Sequence, residues 1–473
     1  MFDKFRITKI TDNVFFYKIT FIAIVIIRLV LNAFLPLMDK TEARYAEIAR
    51  IMHETNNWIT PYIDYGVPFW AKPPLSTWLS ALSMHLFGVN EFAVRLPYLL
   101  ISLLIVLLIA KYAKRQSKQI YLVGCILFTL PEFFLHAGVV STDTFLAFSV
   151  ALVMLSFWEV INFNKKYWGY LFFVGIGLGL LAKGPIILVL TAPPIFLWLV
   201  WFNKFRVFFN KIPWLSGLLL LCTIVLPWYY LAEIKTPGFI NYFIVGENFK
   251  RFFVSGWNGD KYGFAKKQPL GIIWLFLLLV TIPWIQMVLF KIIKLKWSVF
   301  KDKWSNFLIL WLFWTPLFFT FSKSLIHTYT LPIMIPIALL IIYWWDNTYK
   351  NKQLFLISLI LPILVAILFI VSIFYTDFEN QYKTDKFLIE NNLGTIDFDR
   401  FYYYGKKSYS SQFYSSGKVK IVNEDALMKL LDTLETAHLI IDKRDLKILS
   451  KIASTKIVLL QSNEYKNLYY LQN

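Results

Sequence analysis

Apolar runs near or above ~18 residues recur along most of the chain, separated by short polar connections. Ile19–Leu37, Leu96–Ala110, Thr144–Ile161 and Leu354–Phe374 are examples. The pattern predicts a polytopic helical membrane protein with about eleven spans, starting near residues 18, 92, 119, 143, 168, 184, 212, 269, 305, 327 and 353. The first span lacks a small-residue cleavage site, so a secretory signal peptide is not expected. Composition changes sharply near Tyr375, where Asp377, Glu379, Lys383, Asp385, Lys386 and Glu390 crowd together. Residues 1–375 are therefore read as a transmembrane domain and 376–473 as a small α/β domain. In the latter, Thr395–Tyr404, Lys418–Val422, Leu439–Asp442, Lys456–Gln461 and Asn467–Leu471 read as strands. Asn423–Thr436 reads as a helix capped by Asn423, and a second helix is expected around Leu446–Ile452.

Charge adds topology. The net charge of +19 over 473 residues would suit a nucleic-acid binder. Its distribution argues otherwise. Lys111, Lys114, Arg115 and Lys118 occupy one short connection, and Lys204, Arg206 and Lys211 another. Lys291, Lys294, Lys296, Lys301 and Lys303 occupy a third, and these alternate connections are almost free of acids. The positive-inside rule puts them and the N-terminus in the cytoplasm. Segments 38–91, 233–268 and everything after residue 375 then lie on the external side. Cys125 and Cys222 lie inside apolar runs, which implies packing and no disulfide framework.

The candidate chemistry gathers on the external side. Segment 38–91 is dense in acids, bases and aromatics. Asp39-Lys40-Thr41-Glu42 fits a capping box, with Asp39 as N-cap and Glu42 at the third helical position. The helix it opens, about Thr41 to His53, is expected to lie amphipathically at the interface and to offer Glu42, Arg44, Tyr45 and Glu47. Pro73 and Pro74 fix an extended backbone behind Lys72, a point charge suited to a phosphate. Asp143 stands at the mouth of a span, where it either caps the helix or serves function. Lys183 and Lys323 are lone cations in tight external turns; His327 and Tyr329 follow the second. Arg251 is a candidate phosphate clamp in Glu247-Asn248-Phe249-Lys250-Arg251-Phe252. One face thus collects cations beside a few acids, as an anionic, phospholipid-linked substrate requires.

Four strings in this order carry a family resemblance: Thr41-Glu42-Ala43-Arg44-Tyr45-Ala46-Glu47-Ile48-Ala49-Arg50, Trp58-Ile59-Thr60-Pro61, Lys72-Pro73-Pro74-Leu75, and Leu86-Phe87-Gly88-Val89-Asn90-Glu91-Phe92. Thr142-Asp143, Leu181-Ala182-Lys183-Gly184, the Glu247–Phe252 string and Ser322-Lys323 with Tyr329 agree. Together they resemble the ArnT-like lipid A aminoarabinose transferases of the GT-C superfamily, which also includes the protein O-mannosyltransferases. The resemblance covers roughly the first 345 residues. It implies an inner-membrane glycosyltransferase with a periplasmic active site, moving a sugar from undecaprenyl phosphate to a lipid A phosphate. It implies Lys72 as the carrier-phosphate lysine, Asp143 as a catalytic acid at a span mouth and Tyr329 as the substrate-binding tyrosine of the late external turn. Arg44, Tyr45, Lys183, Arg251 and Lys323 are read from the residues themselves as further substrate-binding groups and Asp39 and Glu42 as catalytic acids, although the family's Asp-Glu pair is here Thr41-Glu42, with Asp39 displaced two residues earlier. Two family positions that hold a metal carry Ala71 and Asn248 here, so no metal ligand set is expected. Besides the lipid-linked donor and the lipid A acceptor, the implied partners are membrane lipids and no nucleic acid, with the protein a monomer. A protein or polysaccharide glycosyltransferase is the alternative. A lipid or sugar transporter is a minor one, since internal repeats and matching broken spans are lacking.

Overall fold

In the computed structural model, residues 14–116, 118–254, 257–263, 268–322, 324–346, 348–375, 377–433, 436–451 and 456–472 are described. Long Leu-, Ile- and Phe-rich runs with little internal charge satisfy their backbone polar groups within one segment as helices in a lipid environment. Accordingly Val14–Phe34, Glu91–Arg115, Asp143–Phe163, Trp214–Lys235, His327–Trp344 and Tyr349–Phe374 are each long and apolar enough to cross a membrane. A further pair, Ile272–Val280 and Trp284–Leu295, is bent by 109°. The remaining predicted starts are met by shorter or broken helices. Lys166–Ala182, Ile186–Phe202 and Lys303–Phe319 have 17 residues each. Ile120–Phe128 stops just before Pro131 opens the helix Pro131–His136.

Burial sorts these helices. In Asp143–Phe163 94% of the apolar window is inside the protein, against 22% in Val14–Phe34 and 17% in Tyr349–Phe374. The first is a central post. The other two leave Ile26, Phe34, Ile363, Leu368 and Phe374 on an outer surface suited to lipid.

Segment 38–91 folds onto this bundle. The helix Thr41–Thr55 differs from the expected interfacial amphipath: Ala43, Tyr45, Ala46, Glu47, Ile48, Ala49, Arg50, Ile51 and Met52 are all buried. It contacts the helix Leu75–Phe87 on one side and, on another, a short strand Tyr62–Asp64 (β1) that pairs antiparallel with Val67–Pro68 (β2). The capping box is not made. Lys40 holds the N-cap position, and Glu42 accepts instead from the Met38 amide at 3.2 Å.

The C-terminal unit is a five-stranded mixed sheet. Its strands are Phe401–Tyr404 (β3), Lys420–Val422 (β4), Thr436–Asp442 (β5), Lys456–Ser462 (β6) and Lys466–Gln472 (β7), in the order β4-β3-β5-β7-β6. β3 runs parallel to β4 and β5; β7 is antiparallel to β5 and β6. Asn423 caps the helix Glu424–Thr433 as predicted, accepting from the Ala426 amide at 2.9 Å. The helix Tyr409–Tyr414, which the sequence pattern did not announce, packs directly on Thr41–Thr55.

Candidate functional site

Pro74 is the N-cap residue of the helix Leu75–Phe87, so Lys72 sits on a rigid lead-in one step from a helix start. Its ammonium donates to the Ala71 carbonyl at 2.7 Å and to Glu247 Oε1 at 2.5 Å. Glu247 comes from Asn241–Lys250, a π-helix, a winding that often marks functional sites. Arg251 follows one turn later and donates to the same oxygen at 2.5 Å, with its Nε 3.6 Å from Asp260. Glu247 Oε2 is buried with no hydrogen-bond partner among the described residues.

A second ion pair lies beside the first. Asp143 opens the central helix, and its Oδ1 accepts from the Lys183 ammonium at 2.5 Å. Lys183 also stands 4.6 Å from the centre of the Tyr329 ring. The turn that presents Lys183 needs Gly184, whose φ is +84° and whose missing Cβ would lie 2.4 Å from the Phe243 ring. Phe243 belongs to the π-helix, so the turn carrying Lys183 packs directly against the element carrying Glu247.

Between them is a cleft of about 700 Å³, counting its open mouth. One wall is ionic: Lys72, Asp143, Lys183, Glu247 and Arg251, with Tyr329. The other is apolar, made by Leu146, Ile186, Leu190, Phe252, Phe319 and Pro332. A charged head joined to a hydrocarbon chain matches such a division. Burial, reinforced by Arg251 and Lys183 and opposed by Glu247, lowers the Lys72 ammonium to about 8. For Lys183 burial pulls in the same direction, but Asp143 and Tyr329 outweigh it and the net direction is upward.

Five residues singled out from the sequence therefore meet: Lys72, Asp143, Lys183, Arg251 and Tyr329. Lys323 lies outside the described residues. The other four are placed elsewhere. Asp39 faces the C-terminal unit: its Oδ1 accepts from the Tyr409 and Ser410 amides at 3.1 Å each, and its Oδ2 from the Ser410 hydroxyl at 2.5 Å. Lys466 stands 3.9 Å away. Burial, and then the neighbouring Asp385, push the Asp39 carboxyl upward. Glu42 forms a bidentate pair with Arg95, at 2.8 and 3.0 Å, and Arg95 also ties down the carbonyls of Asn32, Leu35 and Pro36. Both acids are thus paired away from the cleft, Glu42 because helix Thr41–Thr55 is buried on nearly every side and Asp39 because the helix Tyr409–Tyr414 meets it. Arg44 donates to the Tyr262 carbonyl at 2.7 Å and lies near the Tyr45 and Phe69 rings, so its donors point into protein. Tyr45 is buried edge-on to Phe69. Neither lines the cleft.

Two acids went unassigned from the sequence. Glu247 had a readable signal: an Arg four residues on in a helix is a ready ion-pair partner. Glu132 had none. It is buried, and its carboxylate meets His327 Nδ1 at 2.9 and 3.0 Å from 195 residues away, tying the start of the helical turn His327–Ile333 to the bundle. That turn carries Tyr329. At the positions where the resemblance implies a metal, Ala71 supplies no ligand, and the Asn248 amide donates to the Phe243 carbonyl at 2.7 Å. Among the described residues no group of three or more His, Cys, Asp or Glu side chains is arranged to hold a metal. The donors present do not fit that group.

Known proteins resemble this chain in sequence and in fold. Residues 13–243 match the family described as dolichyl-phosphate-mannose-protein mannosyltransferase. The undecaprenyl phosphate-alpha-4-amino-4-deoxy-L-arabinose arabinosyl transferase of Wigglesworthia glossinidia brevipalpis is 30% identical over 334 residues, which is 69% of this chain and 58% of that protein. The corresponding transferase 1 of Proteus mirabilis is 28% identical over 340 residues, 67% of this chain and again 58% of the relative. The match thus spans a little over half the length of these relatives. Among solved structures, ArnT from Cupriavidus metallidurans bound to undecaprenyl phosphate aligns with a TM-score of 0.78 at 14% identity, covering 96% of this chain and 98% of that one. The two share a fold over nearly the whole of this chain.

Proposed function

We propose that this chain, which is an ArnT-like glycosyltransferase of the GT-C kind, transfers a sugar from undecaprenyl phosphate to a phosphate of lipid A. The observation that carries the reading is the cleft itself: Lys72 and Arg251 converge on one anionic oxygen beside an apolar wall. In this reading the carrier phosphate takes the place of that oxygen and the polyprenyl chain follows the apolar wall. The bond between the sugar's anomeric carbon and the carrier phosphate oxygen breaks, and the electron pair stays on the phosphate. Lys72 and Arg251 stabilise that charge as it develops. The acceptor phosphate oxygen attacks from the opposite side, with inversion. It is already anionic at neutral pH, so no strong base is required. Asp143, held by Lys183, orients the sugar or its amine.

The reading places the cleft on the periplasmic side of the inner membrane, with about eleven spans, a cytoplasmic N-terminus, the C-terminal sheet in the periplasm, and a monomeric protein. The alternation of basic connections supports it. Mass spectrometry of lipid A from cells with and without the gene, and with Lys72→Ala, tests it. The expected result is loss of a sugar-phosphate mass increment in both deficient strains. An unchanged lipid A with an altered glycoprotein or polysaccharide profile would instead favour the protein or polysaccharide transferase reading, which the match to the mannosyltransferase family supports.

A further inference from the structure

Two buried glutamates of this protein meet arginine in different ways. Glu42 uses both oxygens on Arg95, and Met38 completes the set. That is the geometry of a permanent structural pair. Glu247 places one oxygen, Oε1, on both Lys72 and Arg251, and leaves Oε2 buried without a partner among the described residues. A buried acceptor left unsatisfied is costly. It is tolerated most readily where the pairing must be broken and remade. Glu247 is carried by a π-helix, a winding frequent at functional sites. Lys72 is also anchored to the Ala71 carbonyl, so it holds its place when the carboxylate leaves.

We infer that Glu247 is an exchangeable counter-ion, occupying the Lys72 and Arg251 donors in the empty cleft, yielding them to the carrier phosphate, and competing for them again so that the spent carrier leaves. The inference rests on the reading of the cleft as a carrier-phosphate site. Its chemical logic is charge. The donor is a phosphodiester with one negative charge, whereas the spent carrier is a monoester approaching two. The same two cations hold the product harder than the donor, so turnover needs a competing anion within reach. Asp143, engaged with Lys183, and Asp260, 3.6 Å from Arg251, are the other acids around these cations. Neither touches Lys72 and Arg251 together as Glu247 does.

The test measures binding of undecaprenyl phosphate to the purified full chain in detergent at pH 6.5, where Lys72 is charged, by equilibrium titration and dissociation rate. Glu247→Gln is expected to bind roughly tenfold tighter and release more slowly, the size of one charge-assisted hydrogen bond returned to the ligand. Glu247→Asp keeps the charge but withdraws it from the cations, and is expected to fall between; it carries the test if the Gln variant does not fold. Lys72→Ala is expected to bind at least ~10-fold more weakly. If Lys72→Ala weakens binding but neither Glu247 variant tightens it, Glu247 is only a structural support and the inference falls. If Lys72→Ala leaves binding unchanged, the carrier-phosphate reading itself is overturned.

Discussion

The ionised groups of segment 38–91 serve two regions of the molecule that look alike in composition and differ in what surrounds them. Around the cleft, Lys72, Arg251 and Lys183 share Glu247 and Asp143, and open space adjoins them. Where the C-terminal unit docks, Asp39 meets Ser410 and Lys466, Glu91 meets Lys386 at 2.6 Å and Tyr414 at 2.9 Å, and Asp64 meets Lys407 at 3.1 Å and Gln412 at 2.9 Å. There backbone amides and hydroxyls fill the remaining acceptor sites. Cations left with spare donors beside a void can take up a ligand. Acids saturated by amides hold two units together. The difference lies in satisfaction, not in charge count.

Breaking the dock should have the largest effect. Lys466 is buried between Asp385, at 2.6 and 2.7 Å, and Asp39. Lys466→Met strands both carboxylates and is expected to cost about 3–5 kcal/mol locally. Limited proteolysis should then release the sheet unit faster while the membrane helices stay intact. An unchanged digestion pattern would show that the dock rests on apolar contact alone.

Lys72→Ala probes the other region. Transfer is expected to fall by about 100-fold or more, with no change in thermal stability, since removal of one preorganised charge costs on that order. Loss of stability instead of activity would move Lys72 into the structural class.

A third measurement sharpens the contrast through pH. The Lys72 ammonium is depressed to about 8, so it is charged below that value and neutral above it. Affinity for a polyprenyl phosphate should rise as the monoester takes its second charge at about pH 6, hold to about pH 7.5, and decline as pH rises past 8, approaching tenfold per unit. Lys72→Arg, charged throughout, should remove the decline.

The smallest effect is expected at the rim of the dock. The Asp64–Lys407 pair is partly exposed, and Lys407→Ala should cost less than about 1 kcal/mol and leave transfer unaltered. A severe loss of transfer would mean that the dock acts on the cleft through β1.

Much of this was legible in the sequence, unevenly. Apolar runs marked the long helices that can cross a membrane, because lipid imposes that pattern locally. Lys72 was readable because the following prolines fix its backbone, and Lys183 because a lone cation in a Gly-Pro turn has few structural uses. Asp39 misled. Its spacing to Glu42 fits a capping box, and nothing local signals that Ser410, 371 residues away, claims its carboxylate. Glu132 was invisible for the same reason.

By itself, then, the sequence determined the helical membrane architecture, the α/β character of the last hundred or so residues and five of the cleft's residues. These follow from interactions with solvent, lipid and near neighbours. The tertiary structure alone decided which acid each cation meets, that Ser410 and Arg95 hold Asp39 and Glu42 away from the cleft, and that Glu247 stands between Lys72 and Arg251. The reason is physical. An ion pair inside a protein is fixed by packing that brings distant segments within about 3 Å, and charge alone does not encode which segments those are.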